Sequence, residues 1–113
     1  MAHVWNLATP DRRYGAALQA SDEGALSGTL IFEGTRYTVV GGWDAQFSIP
    51  GRNFSAFSLS GQIEQGTDAP SFIASAGYIF GSSQAPDGIQ ILMDVSSSAN
   101  GSVLHFFGVL NPF

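Results

Sequence analysis

The chain predicts one all-β domain, residues 1–113, folded as a small antiparallel meander β-barrel of about seven or eight strands, with a β-sandwich as the alternative. Three observations carry that expectation. Apolar residues recur at every second position through several short segments, the period of a half-buried strand. Breaks rich in Gly, Pro, Asp and Ser separate these segments every ~8–15 residues. Glycines also fall inside the segments, where they mark the bulges and bends that let a sheet curl shut.

The stretch Gly24–Asp44 (GALSGTLIFEGTRYTVVGGWD) reads as a complete hairpin turning at Glu33-Gly34. With those residues as the loop, Phe32 faces Thr35, Leu30 faces Tyr37, Gly28 faces Val39 and Leu26 faces Gly41. Alternation then gathers Leu26, Leu30, Phe32, Tyr37, Val39 and Trp43 on a core face. Ser27, Thr29, Ile31, Arg36, Thr38 and Val40 take the other face, which suits water.

Before the hairpin, His3–Ala8 is a short first strand, and Thr9-Pro10-Asp11 is turn chemistry. Tyr14–Ala20 reads as an Ala-heavy strand, with a short helix left open. Asp22-Glu23-Gly24 turns again. After the hairpin, Pro50-Gly51 carries a type II turn signature. Phe57, Leu59, Gly61 and Ile63 then alternate with Ser58, Ser60, Gln62 and Glu64 in the cleanest period of two in the chain. Gly66–Pro70 breaks that pattern. Ser71–Phe80 is the next strand, with Phe72, Ala74, Ala76, Tyr78 and Phe80 on one face, and Gly81–Gly88 is a loop.

Ile89–Val95 and Val103–Leu110 form a last hairpin around Asn100-Gly101, the strongest short-range turn signal available. A two-residue loop there sets Met93 opposite Gly108, Val95 opposite Phe106 and Ile91 opposite Leu110, a wholly apolar core face. The opposite face pairs Leu92 with Val109, Asp94 with Phe107 and Ser96 with His105. A solvated surface does not ordinarily carry Leu92, Phe107 and Val109 side by side, so this face is expected to meet a partner, most simply another copy of the chain.

The first 44 residues resemble a known family. Trp5-Asn6-Leu7, then Gly24-Ala25-Leu26, Gly28-Thr29, Arg36-Tyr37, Val39, Gly41, Trp43 and Asp44 are similar to the opening strands of the avidin/streptavidin barrel, and Asn111-Pro112-Phe113 stands where that family closes. The remainder matches in strand count. The resemblance implies an eight-stranded barrel with a ligand site at one mouth. It does not imply biotin. The family's ureido-binding Tyr and Ser fall on Leu30 and Phe32, and Trp5 and Trp43 are the only tryptophans available to wall a site.

Composition narrows the chemistry. With no Cys, disulfides and thiolate catalysis or metal sites are excluded. With no Lys, Schiff-base chemistry and P-loop phosphate binding lose their central residue. A net charge of −5 with sparse cations disfavours nucleic acid. No apolar run approaches the ~20 residues of a membrane-spanning helix, and Met1-Ala2-His3 lacks the basic start of a signal peptide. Neither cofactor nor metal is expected, and the compartment stays open.

The leading expectation is a non-enzymatic binding module for a small apolar or aromatic ligand or a protein partner. Its ligand would sit at a barrel mouth near Trp43, Tyr37 and Tyr78. The alternative is a self-associating structural or interaction protein with a filled barrel, acting through Leu92, Phe107, Val109 and His105. A hydrolase using His105 and Asp94, with Ser96 as nucleophile, ranks below both. A metal site of His3 and His105 has no spacing motif behind it. Arg12-Arg13 reads as a solvated pair rather than an anion grip, and the loop Pro50–Asn53 as an ordinary connector. Asn53-Phe54-Ser55 and Asn100-Gly101-Ser102 match the glycosylation pattern by composition alone.

Overall fold

Glu33 and Gly34 both adopt positive φ, 49° and 81°, the sign pattern of a type I′ turn, whose twist matches that of the strands it joins. The flanking register is the expected one, with Phe32 opposite Thr35, Leu30 opposite Tyr37, Gly28 opposite Val39 and Leu26 opposite Gly41. In the computed structural model, which describes residues 2–44, 54–64, 71–81, 86–97, 101 and 103–112, the same antiparallel pairing repeats around the molecule.

The strands are β1 (Ala2–Ala8), β2 (Tyr14–Ser21), β3 (Ala25–Phe32), β4 (Thr35–Trp43), β5 (Phe54–Ile63), β6 (Phe72–Gly81), β7 (Pro86–Ser96) and β8 (Val103–Pro112). Each pairs with the next in sequence, and β8 returns to β1, giving a closed antiparallel meander barrel. The segment Tyr14–Ser21, for which a helix was open, is a strand whose Ala16, Leu18 and Ala20 are buried.

Closure needs stagger. The rungs run from Val4 through Gln19, Ser27, Val40, Ser60, Ala74 and Asp94 to His105. The closing ladder, however, sets Ala8 opposite Asn111 and Leu7 opposite Pro112. Extended, it brings His105 level with residue 14 rather than residue 4, a shear of ten residues. β1 stops at Ala8, so it covers only the last two residues of β8. Between Val103 and Leu110, β8 is paired by β7 on one edge and by no described strand on the other.

Such coiling demands close backbone approach. Gly41 and Gly61 face β5 and β4 respectively within one ladder. A Cβ at Gly41 would lie 2.0 Å from the Ser58 carbonyl oxygen, and one at Gly61 would lie 1.9 Å from that of Thr38. No side chain fits at either position.

The inward positions fill the barrel. Leu18, Leu30, Tyr37, Val39, Ile79, Ile91 and Met93 are among the fully buried side chains. An eight-stranded interior is just wide enough for side chains to occupy it. Aromatic clusters close both ends. Where β4 finishes, Trp43 and Phe57 lie against Trp5, each at 6.5 Å between ring centroids. At the opposite end, beside the Glu33-Gly34 turn, Tyr14 meets Phe32 edge-on at 5.3 Å and stacks on Phe106.

Three expectations are corrected. The last hairpin is not a two-residue loop. Met93 pairs with Phe106 rather than Gly108, Val95 with Leu104 rather than Phe106, and Ile91 with Gly108 rather than Leu110. The physical reason is a wider turn, in which the Gly101 N–H donates to the Ser97 carbonyl (2.8 Å) and the last rung is Ser96–Val103. Asn100 itself lies outside the described residues. A slip of two leaves every side chain on its face, so Ile91, Met93, Val95 and Leu110 are still buried. Second, Pro86-Asp87-Gly88 opens β7 instead of lying in a loop; Pro is tolerated at the first residue of a strand. Third, Tyr78 points outward, because β6 buries Ile73, Ser75 and Ile79 instead. Pro50–Asn53 and Gly66–Pro70 lie outside the described residues.

Candidate functional site

The three aromatics expected at a barrel mouth do not form one site. Tyr37 is part of the packed core, where burial pushes its phenol pKa up. Trp43 is half-buried at one end and donates its indole N–H to the Ser21 carbonyl at 3.0 Å. Tyr78 stands on the outside of β6, 46% exposed. Leu30 and Phe32, at the positions where the avidin resemblance calls for polar ligand contacts, are buried and offer no side-chain hydrogen bonds.

Tyr78 instead joins the other expected group. Two neighbouring rungs of outward residues cross the sheet. One runs Ser58–Ala76–Leu92–Phe107, and the next Ala56–Tyr78–Gln90–Val109. The alanines are too short to fill the surface between their larger neighbours. The result is a groove of about 360 Å³ with Ala56 and Ala76 on its lining and Tyr78, Gln90, Leu92 and Phe107 beside them. Phe72 and Phe80 extend the same face along β6, and Val103 and Val109 extend it along β8. Among the described residues Phe107 is the most exposed large apolar side chain, at 67%. Beneath it, the buried Ser75 hydroxyl donates to the Leu92 carbonyl at 2.9 Å, so the one polar side chain of the β6 interior is satisfied.

His105 is directly opposite Asp94, not diagonal to it, and its Nδ1 hydrogen-bonds Asp94 Oδ1. Ser96 faces Val103 rather than His105. The pair lies open to solvent, with side chains 64% and 37% exposed, rather than in a cleft. His3 bonds a different carboxylate, with Nε2 at 2.8 Å from Asp22 Oδ1, and that hydrogen bond holds the Asp22 pKa low. Among the described residues no cluster of three His, Asp or Glu side chains is placed to hold a metal. Arg13 pairs with Glu33 at 2.9 Å, and Glu33 also accepts from the Tyr14 hydroxyl at 3.0 Å. Burial first, and that bond second, raise the Tyr14 pKa.

The opposite side of the barrel contrasts with the groove. On the outside of β3–β5, Thr29 and Thr38 donate to Glu64 Oε2 at 3.1 and 3.2 Å, and Arg36 lies 3.5 Å from Glu64 Oε1. The Thr29–Thr38 pair follows from the first hairpin's register. Glu64 joins it through the long β4–β5 connection, for which no local signal exists. Likewise, Ala56, Ala76 and Gln90 were missed as site residues. For Ala76 the sequence signal is a pair of small side chains, Ala74 and Ala76, between Phe72 and Tyr78 on one face of β6; Ala56 on β5 and Gln90 on β7 join it through the ladders. No family model, curated protein or solved structure matches this chain.

Proposed function

We propose that this chain is a non-catalytic binding protein whose working surface is the outer face of β6–β8, the filled barrel serving as its scaffold. The observation that carries the reading is a contrast. The interior is packed with buried apolar side chains, while Phe72, Tyr78, Phe80, Leu92, Phe107 and Val109 are left exposed together on one side. Contiguous apolar surface of this kind marks an interaction site. The group it takes is apolar or aromatic, either a partner's side chain or a small molecule, because the groove is walled by Tyr78, Leu92 and Phe107 with Gln90 as its polar margin. Biotin is not the ligand in this reading, since Leu30 and Phe32 replace the polar contacts that the avidin resemblance would require. The solvent-open placement of Asp94 and His105, with Ser96 opposite Val103, supports a structural rather than a hydrolytic role for them.

A titration with the fluorescent probe anilinonaphthalenesulfonate tests this. Saturable binding to the folded chain is expected, lost in Phe107→Ser and in Leu92→Ser and kept in Tyr37→Phe. Binding that survives both serine variants would place the working surface elsewhere.

A further inference from the structure

We propose that the occupant of this face is a second copy of the same chain, laid face to face so that the outer surfaces of β6–β8 pack on one another about a two-fold axis. The inference rests on the surface reading above and names its partner. What singles out a second copy is the order of large and small side chains along the outer row of β6. That row reads Phe72, Ala74, Ala76, Tyr78, Phe80, all of them exposed. A two-fold axis crossing the strands level with Gly77 and Ile91 turns the row end for end. Tyr78 then stands over the partner's Ala76, and Phe80 over the partner's Ala74. Each bulky ring enters the space that an alanine leaves, and the symmetry makes every such fit twice. The groove of about 360 Å³ that Ala56 and Ala76 line thereby receives the partner's Tyr78. The same axis sets Leu92 against the partner's Gln90 and Phe107 against the partner's Val109, because those residues share the two central rungs. Sheets packed in this way lie about 10 Å apart, with their strands within about 30° of alignment.

Area and charge agree with that placement. At ~150–250 Å² for a whole aromatic side chain, Tyr78, Phe80 and Phe107 leave about 300 Å² exposed. Leu92, Val109 and the small residues between them bring the face to on the order of 600 Å², the lower end of what each partner gives a stable interface. Face-to-face packing covers that surface and engages no strand edge. Among the described residues of β6–β8, acidic and basic side chains stand only at the ends of the face, Asp94 and His105 at one and the exposed Asp87 at the other. A two-fold axis along β7 would set Asp94 on the partner's Asp94. The crosswise axis holds the two about 20 Å apart at ~3.4 Å per residue, beyond the ~8–10 Å over which exposed charges interact. Asp87 comes to the rim beside the partner's Asp94–His105 pair, open to water. An apolar centre with charge kept to the rim is the anatomy of a protein–protein interface. A two-fold contact uses the same patch on both copies, so growth stops at two.

The experiment uses the full chain. Sedimentation velocity from about 1 to about 100 μM, the range in which an interface of this size shows itself, should give a concentration-dependent dimer. Ala76→Lys, which puts a charge where the partner's Tyr78 sits, should weaken it at least tenfold. Val40→Lys, on the exposed outer face of β4, should leave it unchanged. Because the chain has no Cys, single-Cys variants cross-link only between copies. An equal mixture of Ala76→Cys and Tyr78→Cys chains should oxidise to the mixed dimer at least tenfold faster than Val40→Cys oxidises with itself. These variants read the contact even if the lysine variant does not fold. A monomer throughout the range, open-ended growth, an Ala76→Lys dimer as tight as the parent's, or mixed cross-linking no faster than at Val40 would overturn the proposal. If the dye still binds the dilute chain and Phe107→Ser still removes it, the surface reading survives that failure; if the dye result fails as well, both fall.

Discussion

The Tyr14 ring lies flat on the Phe106 ring, with centroids 3.9 Å apart and planes 14° from parallel. The two residues sit on strands that do not pair. They meet because the shear of the barrel brings β8 level with the start of β2 where β1 has already ended. Side-chain stacking there does part of the closing that backbone hydrogen bonds do elsewhere. Tyr14 is held from its other side by the edge of Phe32 and by its hydroxyl bond to Glu33.

Removing either ring should therefore loosen the seam. Phe106→Ala is expected to cost about 2 kcal/mol, less than a fully buried Phe because Phe106 is only partly covered. A double-mutant cycle with Tyr14→Ala should return a coupling of about 1 kcal/mol, characteristic of an aromatic pair. Urea unfolding of the four variants measures it, and strict additivity would show that the rings do not support one another.

Two glycine substitutions should separate close approach from backbone conformation. At Gly41 a Cβ meets the Ser58 carbonyl oxygen at 2.0 Å and the Leu59 Cα at 2.9 Å, both rigid backbone. Gly41→Ala is expected to cost about 3 kcal/mol or more, because the β4–β5 ladder must part. Gly34 has nothing within 4 Å and differs only in its φ of +81°. Gly34→Ala should cost about 1 kcal/mol, the left-handed penalty alone. Equal shifts in the urea midpoint would contradict the distinction.

Alkali should destabilise the fold through Tyr37. Burial raises its phenol above the usual value near 10, so the folded chain holds that proton more tightly than the unfolded one. The contribution is whole below the unfolded pKa and is lost as pH rises toward and through the folded one. Stability measured by urea at pH 8 and at about pH 11 should fall, and Tyr37→Phe, which has no proton to lose, should fall less. A fall of the same size in both would remove Tyr37 as its source.

His105→Ala should leave monomer stability within about 0.5–1 kcal/mol of the parent, since the Asp94–His105 pair is largely solvated and exposed ion pairs contribute little. Thermal melts at low concentration, where association does not contribute, provide the check. A loss of several kcal/mol would mean that the pair organises the β7–β8 hairpin rather than decorating it.

The candidate face was partly legible. Leu92, Phe107 and Val109 follow from alternation on β7 and β8, and they survive the register error because a slip of two residues preserves sidedness. Tyr78 did not follow. In Phe72–Phe80 both faces are apolar, Ile73 and Ile79 on one and Phe72, Tyr78 and Phe80 on the other. Period alone does not say which of two greasy faces turns inward. That was decided by β6 lying between β5 and β7, whose ladders align Tyr78 with Ala56 and Gln90 on the outside.

Local chemistry alone determined the first hairpin to the residue, because a Gly at positive φ and strict alternation act over a few bonds. It likewise determined the all-β class and the meander. The tertiary structure decided the ten-residue shear, the two-rung seam between β1 and β8, and with them the edge of Val103–Leu110 that no described strand pairs. Shear is the accumulated offset of eight ladders between segments far apart in the chain. No single segment encodes a sum of that kind, so it exists only once the sheet has closed on itself.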